Sequence, residues 1–153
     1  MNRRHPRARR LQVVLDLTER EEKEALSVWG DIEQKLRAEE QQREQLSLYR
    51  DEYQQKISLP GQLSAGHMHN TLGFMSQIES AMRSQNEQIS LLRKRADAAR
   101  ELYLQWHGKV KALSDLIDRL EGEAAAADDR QAQKQSDEWA NRAAFNRNGQ
   151  RRT

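Results

Sequence analysis

The sequence predicts an all-α fold: a long antiparallel two-helix coiled-coil hairpin whose second helix overhangs the first at the C-terminal end. Three observations predict it. The first is a run of apolar residues stepping alternately by three and four from Met75 to Ala124: Met75, Ile78, Met82, Gln85, Ile89, Leu92, Ala96, Ala99, Tyr103, Trp106, Val110, Leu113, Ile117, Leu120 and Ala124, with Gln85 the only polar member. Seven unbroken heptads need a partner stripe of similar length to cover them. The second is that such a stripe exists upstream, less pure, from Leu11 through Leu15, Ala25, Trp29, Ile32, Leu36 and Leu46 to Ile57. The third is the composition: 153 residues, 33% charged, 5% aromatic and two prolines, too polar for a broad core and too periodic for disorder.

The first helix is expected over about 8–58. Its interior is rich in Glu, Gln, Lys, Arg, Ala and Leu, all good helix formers, and Gly30 lies off the seam. Ser58-Leu59-Pro60-Gly61 is the strong break, because proline lacks the backbone donor and biases its predecessor away from the helix, while glycine accepts the left-handed conformation that ends one. The turn is expected over about 59–70, the second helix over about 71–145 from an N-cap at Asn70 or Thr71, and the tail 146–153 as disordered. The whole chain, 1–153, is one coiled-coil domain.

Folding the sequence about residue 64 brings Tyr53 to Met75, Leu46 to Met82, Leu36 to Leu92, Trp29 to Ala99, Leu15 to Leu113 and Leu11 to Ile117. Large side chains then oppose small ones where the size is greatest. Gln85 falls opposite Arg43. Glu39 and Arg43 either set the register or pair with each other as i,i+4 neighbours, and the second reading is preferred. Beyond Ile117 the second helix is left without a partner. That segment carries Ala124 to Ala127, Trp139 and Phe145, and two large aromatics on a polar helix suit anchors inside another protein's cavity.

Charge and chemistry narrow the function. The net charge of +2 is small, but Arg3, Arg4, Arg7, Arg9 and Arg10 crowd one terminus and Arg142, Arg147, Arg151 and Arg152 the other. There is no cysteine, hence no disulfide or thiolate site. His67 and His69 lack a third ligand, a two-helix rod has no cleft to desolvate a carboxylate pair, and no glycine-rich phosphate loop occurs. The chain is therefore expected to be non-enzymatic, with no cofactor and no metal, and without a membrane-spanning segment or signal peptide. Two classes stay open on these residues: a generic coiled-coil scaffold, and a nucleic-acid binder using the arginine clusters.

The short basic start before Leu11 to Leu15, Glu19-Arg20-Glu21-Glu22, Tyr49-Arg50-Asp51-Glu52-Tyr53, Trp106 with Lys111-Ala112-Leu113, Asp118-Arg119 and Asp137-Glu138-Trp139-Ala140-Asn141-Arg142 occur in an order and spacing that resemble the FliJ family of flagellar type III export proteins. The resemblance implies a coiled coil similar to the stalk of rotary ATPases, located in the cytoplasm and peripherally at the inner membrane of the flagellar base. It implies three partners: the export ATPase hexamer, the cytoplasmic part of the membrane export gate, and export chaperones. It implies no nucleic-acid partner and a monomer when free. The family's gate surface maps onto Gln42, Leu46, Tyr49 and Tyr53 on the first helix and Phe74, Ile78, Ala81 and Gln85 on the second. Of these, Tyr49 and Phe74 are expected to stand exposed, whereas Leu46, Tyr53 and Ile78 also suit ordinary helix packing. Gln85 stands where at least some relatives have a histidine, and Thr71 where they have an aromatic. For the ATPase, the end bearing both termini is implied, with Arg7, Arg9, Arg10, Arg130, Asp137, Glu138, Trp139 and Arg142 as the contacting residues.

Overall fold

A computed structural model describes residues 5–59, 61 and 64–151. Within them the chain is all-α, with helix α1 over Pro6–Ser58 (53 residues) and helix α2 over Ala65–Arg151 (87 residues). Arg3, Arg4, Arg152 and Pro60, all singled out above, lie outside the described residues. The two helices pair in two units, one of Met1–Glu21 with Trp106–Thr153 and one of Glu22–Gln105.

Local chemistry sets the helix ends. Pro6 takes the first helical position, where its missing N–H is no loss. The Nδ1 of His5 accepts from the backbone N–H of Arg7 (3.1 Å) and Ala8 (3.4 Å), so a histidine does the capping work usually given to Ser or Asp. After Ser58 the chain reverses through Gly61, whose φ of 73° lies in the left-handed region. Helix α2 begins at Ala65 rather than near Asn70 or Thr71, so the expected turn of about 59–70 is too long. Ser64 is the reason: its Oγ accepts from the His67 N–H (3.2 Å), and its carbonyl accepts from the Met68 N–H (2.8 Å). Thr71 is already inside the helix and donates its hydroxyl back to the His67 carbonyl at 2.7 Å. At the other end α2 continues past the expected limit of 145 to Arg151, because no proline and no positive-φ residue interrupts it there.

In the unit of Glu22–Gln105 the pairing is antiparallel, since Trp29 meets Tyr103, Glu40 meets Arg93 and Tyr53 meets Phe74. Its buried apolar residues are Ala25, Leu36, Ile78, Ile89 and Ala96, all seam positions. Trp29 stacks on Tyr103, one turn along the stripe from Ala99, with ring centroids 5.7 Å apart and planes at 30°. Helical side chains lean toward their own N-terminus, so in an antiparallel pair Trp29 and Tyr103 lean toward each other across one turn.

The unit of Met1–Glu21 with Trp106–Thr153 packs Ala8, Leu15, Ile117 and Leu120 into one buried cluster, flanked by Leu11, Val110, Leu113 and Leu116. Pairing runs about one turn further than expected. Leu120 is buried beside Ala8, and the backbone N–H of His5 donates to Glu121 Oε1 at 3.4 Å. Among the described residues, the part of α2 left uncovered by α1 therefore begins near Asp129 rather than just after Ile117. From there to Gly149 the described side chains are exposed except that of Ala143, which is half-buried. Helix-favouring Ala, Gln, Lys and Arg maintain the segment, with an i,i+4 bond from Gln133 Nε2 to Asp137 Oδ1 (3.2 Å).

Candidate functional site

Two surfaces carry the residues expected to bind partners, one in each unit. In the unit of Glu22–Gln105 the eight residues of the gate set divide by burial. Tyr49 and Phe74 are 54% and 46% exposed, Gln42 and Ala81 are exposed, and Leu46 and Tyr53 are half-buried. Ile78 is buried at 6% and belongs to the packing of the pair rather than to any outer surface. Heptad arithmetic explains the division: Ile78 lies on the seam, whereas Tyr49 is three residues past the seam position Leu46 and outside it.

The aromatic residues form a small patch. Tyr53 and Phe74 meet edge to face across the two helices, with centroids 5.0 Å apart and planes at 65°. Lys56 Nζ sits 5.2 Å from the Tyr53 ring centre. Tyr49, four residues before Tyr53, shares its face of α1. The patch thus presents one fixed ring pair and one exposed ring beside it.

Gln85, the last member of the set, is only 9% exposed and faces inward. Its Nε2 donates to Gln42 Oε1 at 3.0 Å and to Glu39 Oε2 at 3.2 Å. Arg43, expected opposite Gln85, instead donates from Nη1 to Asn86 Oδ1 at 3.4 Å. Glu39 and Arg43 therefore engage the second helix separately, which overturns the i,i+4 pairing expected of them. The carboxylate of Glu39 needs a donor beside the seam, and the amide of Gln85 is the nearest that the second stripe offers.

The eight residues expected at the ATPase all belong to the other unit, but they are spread along it rather than gathered in one place. Arg7, Arg9 and Arg10 are exposed on the first turns of α1, and Arg130, Asp137, Glu138, Trp139 and Arg142 are exposed along the part of α2 left uncovered by α1. Trp139 is 76% exposed and Phe145 77%. A surface that sequence reasoning missed lies in the same unit: Val13 (61%), Val14 (46%) and Leu17 (55%) stand out from α1, and Val14 and Leu17 line a shallow groove with Thr18, Arg20, Glu21 and Trp106. Lys109 Nζ lies 4.5 Å above the Trp106 ring. The signal was present in the sequence as apolar residues outside the heptad positions. Among the described residues no cluster of three or more His, Asp or Glu is placed to hold a metal, and no helix is long and apolar enough to cross a membrane.

Both candidate surfaces are open faces of the two helices. Comparison with known proteins then decides the kind of chain. The family model described as Flagellar FliJ protein matches residues 7–149. The chain belongs to the FliJ family. It is 26% identical over 137 residues to the Flagellar FliJ protein of Salmonella typhi, covering 88% of this chain and 93% of that one. Against the Flagellar FliJ protein of Escherichia coli (strain K12) the identity is 25% over 137 residues, with the same coverage of each. No solved structure matches the chain. FliJ membership gives its broad class, a component of flagellar protein export, and the matched range takes in every residue of both candidate surfaces.

Proposed function

We propose that this FliJ-family chain is a non-enzymatic stalk and coupling component of the flagellar export apparatus. It binds the export ATPase hexamer through the unit that holds both termini and stimulates its turnover. It contacts the cytoplasmic part of the export gate through the aromatic patch, and it handles export chaperones. It works in the cytoplasm, peripherally associated with the inner membrane at the flagellar base.

The observation that carries the reading is the part of α2 left uncovered by α1. A helix that bears Trp139 and Phe145 at 76% and 77% exposure, with neither covered among the described residues, is suited to enter a cavity lined by another protein. The arginines at the start of α1 supply the positive rim that steers such an encounter. The gate assignment is supported by Tyr49 and Phe74, large rings left open, the second of them held edge to face against Tyr53.

The direct test is to titrate the chain into the purified export ATPase and follow hexamer formation by sedimentation. The reading expects the hexamer fraction to rise with added chain. An unchanged sedimentation profile at saturating chain would remove the stalk role.

A further inference from the structure

We infer that the polar layer in which buried Gln85 bonds to Glu39 and Gln42 is a register lock: it selects one alignment of α2 against α1 in the unit of Glu22–Gln105. The inference stands apart from the export reading, and its test uses the chain alone.

The layer is poorly explained as a source of stability. Gln85 is 9% exposed, and its Oε1 is buried without a hydrogen-bond partner. An orphaned buried acceptor costs about as much as a hydrogen bond returns, or more. A leucine at this seam position would pack without that cost. What the amide does supply is directional. Glu39 can only accept, so it fixes the Nε2 of Gln85 toward itself at 3.2 Å, and Gln42 Oε1 takes the second hydrogen of the same nitrogen at 3.0 Å.

Neither the seam nor the turn removes the alternatives. Two heptad stripes also face each other after a slide of one heptad. The turn offers a matching choice, because Ser64 caps α2 and Thr71, another capping residue, stands seven positions later. Starting α2 from Thr71 would free one heptad of chain as slack. The polar layer is what such a slide breaks. Displaced by seven in either direction, Gln85 meets Leu46 and Tyr49 or Ile32 and Lys35, and Glu39 faces Leu92 or Ile78. Either way the amide loses both acceptors and the carboxylate its donor, and an apolar seam residue of α2 is left against the Glu39 carboxylate. Discrimination between registers therefore falls on the polar groups.

The chain contains no cysteine, so spin labels can be placed uniquely. Labels on the exposed positions Arg37 and Lys94, one on each helix of this unit, report the register as a distance distribution by pulsed electron resonance. The parent is expected to give one narrow distance. Gln85→Leu is expected to keep or raise the melting temperature and to add a second population displaced by up to about 10 Å, the axial length of one heptad. Glu39→Leu with Gln85→Leu should enlarge that population, and Glu39→Gln, which can still accept from Gln85, should keep the single distance. Leu36→Ala should lower the melting temperature while keeping the single distance, because it weakens packing without removing the lock. A single narrow distance in both leucine variants overturns the inference, whatever their melting temperature.

Discussion

Replacing Tyr49 by alanine separates a partner surface from a packing role. The ring is 54% exposed and takes no part in the Tyr53–Phe74 contact. A tyrosine buries about 200 Å² at most, so roughly 100 Å² of Tyr49 is left for a partner to cover, worth about 2.5 kcal/mol at ~25 cal/mol per Å². That corresponds to binding weakened about 60-fold, since ~1.4 kcal/mol is a factor of ten. Within the free chain the change is nearly neutral. The packing lost along the helix is offset by the higher helix propensity of alanine, roughly 0.5 kcal/mol. The assay pairs titration calorimetry against the cytoplasmic part of the export gate with far-UV circular dichroism. Affinity within twofold of the parent, with helicity intact, would refute the assignment of this face; lost helicity would show that Tyr49 is part of the core.

Other substitutions probe the remaining parts. Ile117→Ala, at 1% exposure in the cluster with Ala8, Leu15 and Leu120, should cost about 2–4 kcal/mol in urea unfolding, whereas Val13→Ala at 61% exposure should stay within about 0.5 kcal/mol. Gly61→Ala, forced to hold a φ of 73°, should destabilise the turn by about 1 kcal/mol, read as a lower thermal midpoint. Trp139→Ala should leave thermal unfolding unchanged, because a ring 76% exposed contributes little to the free chain, yet weaken ATPase binding at least tenfold. If the arginine clusters served nucleic acid instead, low-salt titration with DNA or RNA would show binding that falls steeply with salt; no binding is expected.

The seam itself was legible. Ile78, Gln85, Ile89, Ala96, Ile117 and Leu120 are buried where the three-and-four stepping puts them, because the period of the pattern dictates which side of a helix must be covered. What stepping does not encode is the match between one stripe and the other. Trp29 stacks on Tyr103, one turn along from its expected partner Ala99, because both side chains lean toward each other and two rings attract. Glu39 reaches across to Gln85 rather than along its helix to Arg43 for a similar reason: a partly buried carboxylate takes the donor that remains beside it after Arg43 turns outward to Asn86. Helix α1 starts at Pro6, close to the expected residue 8, under a His5 cap, whereas α2 starts well before Asn70 because Ser64, an ordinary capping residue, already holds its first turn. Of the proposed gate surface, the open rings Tyr49 and Phe74 and the seam position of Gln85 were foreseen; the bonds of Gln85 to Glu39 and Gln42 were not.

The proposed action of the exposed end of α2 on the ATPase is read by ATP turnover. Steady-state hydrolysis by the export ATPase should rise when the full chain is added. A chain truncated after Ala127 keeps the Ala8–Leu15–Ile117–Leu120 cluster but loses Trp139 and Phe145, and should leave turnover at its basal level. Equal stimulation by the full and truncated chains, or none by either, would contradict the account.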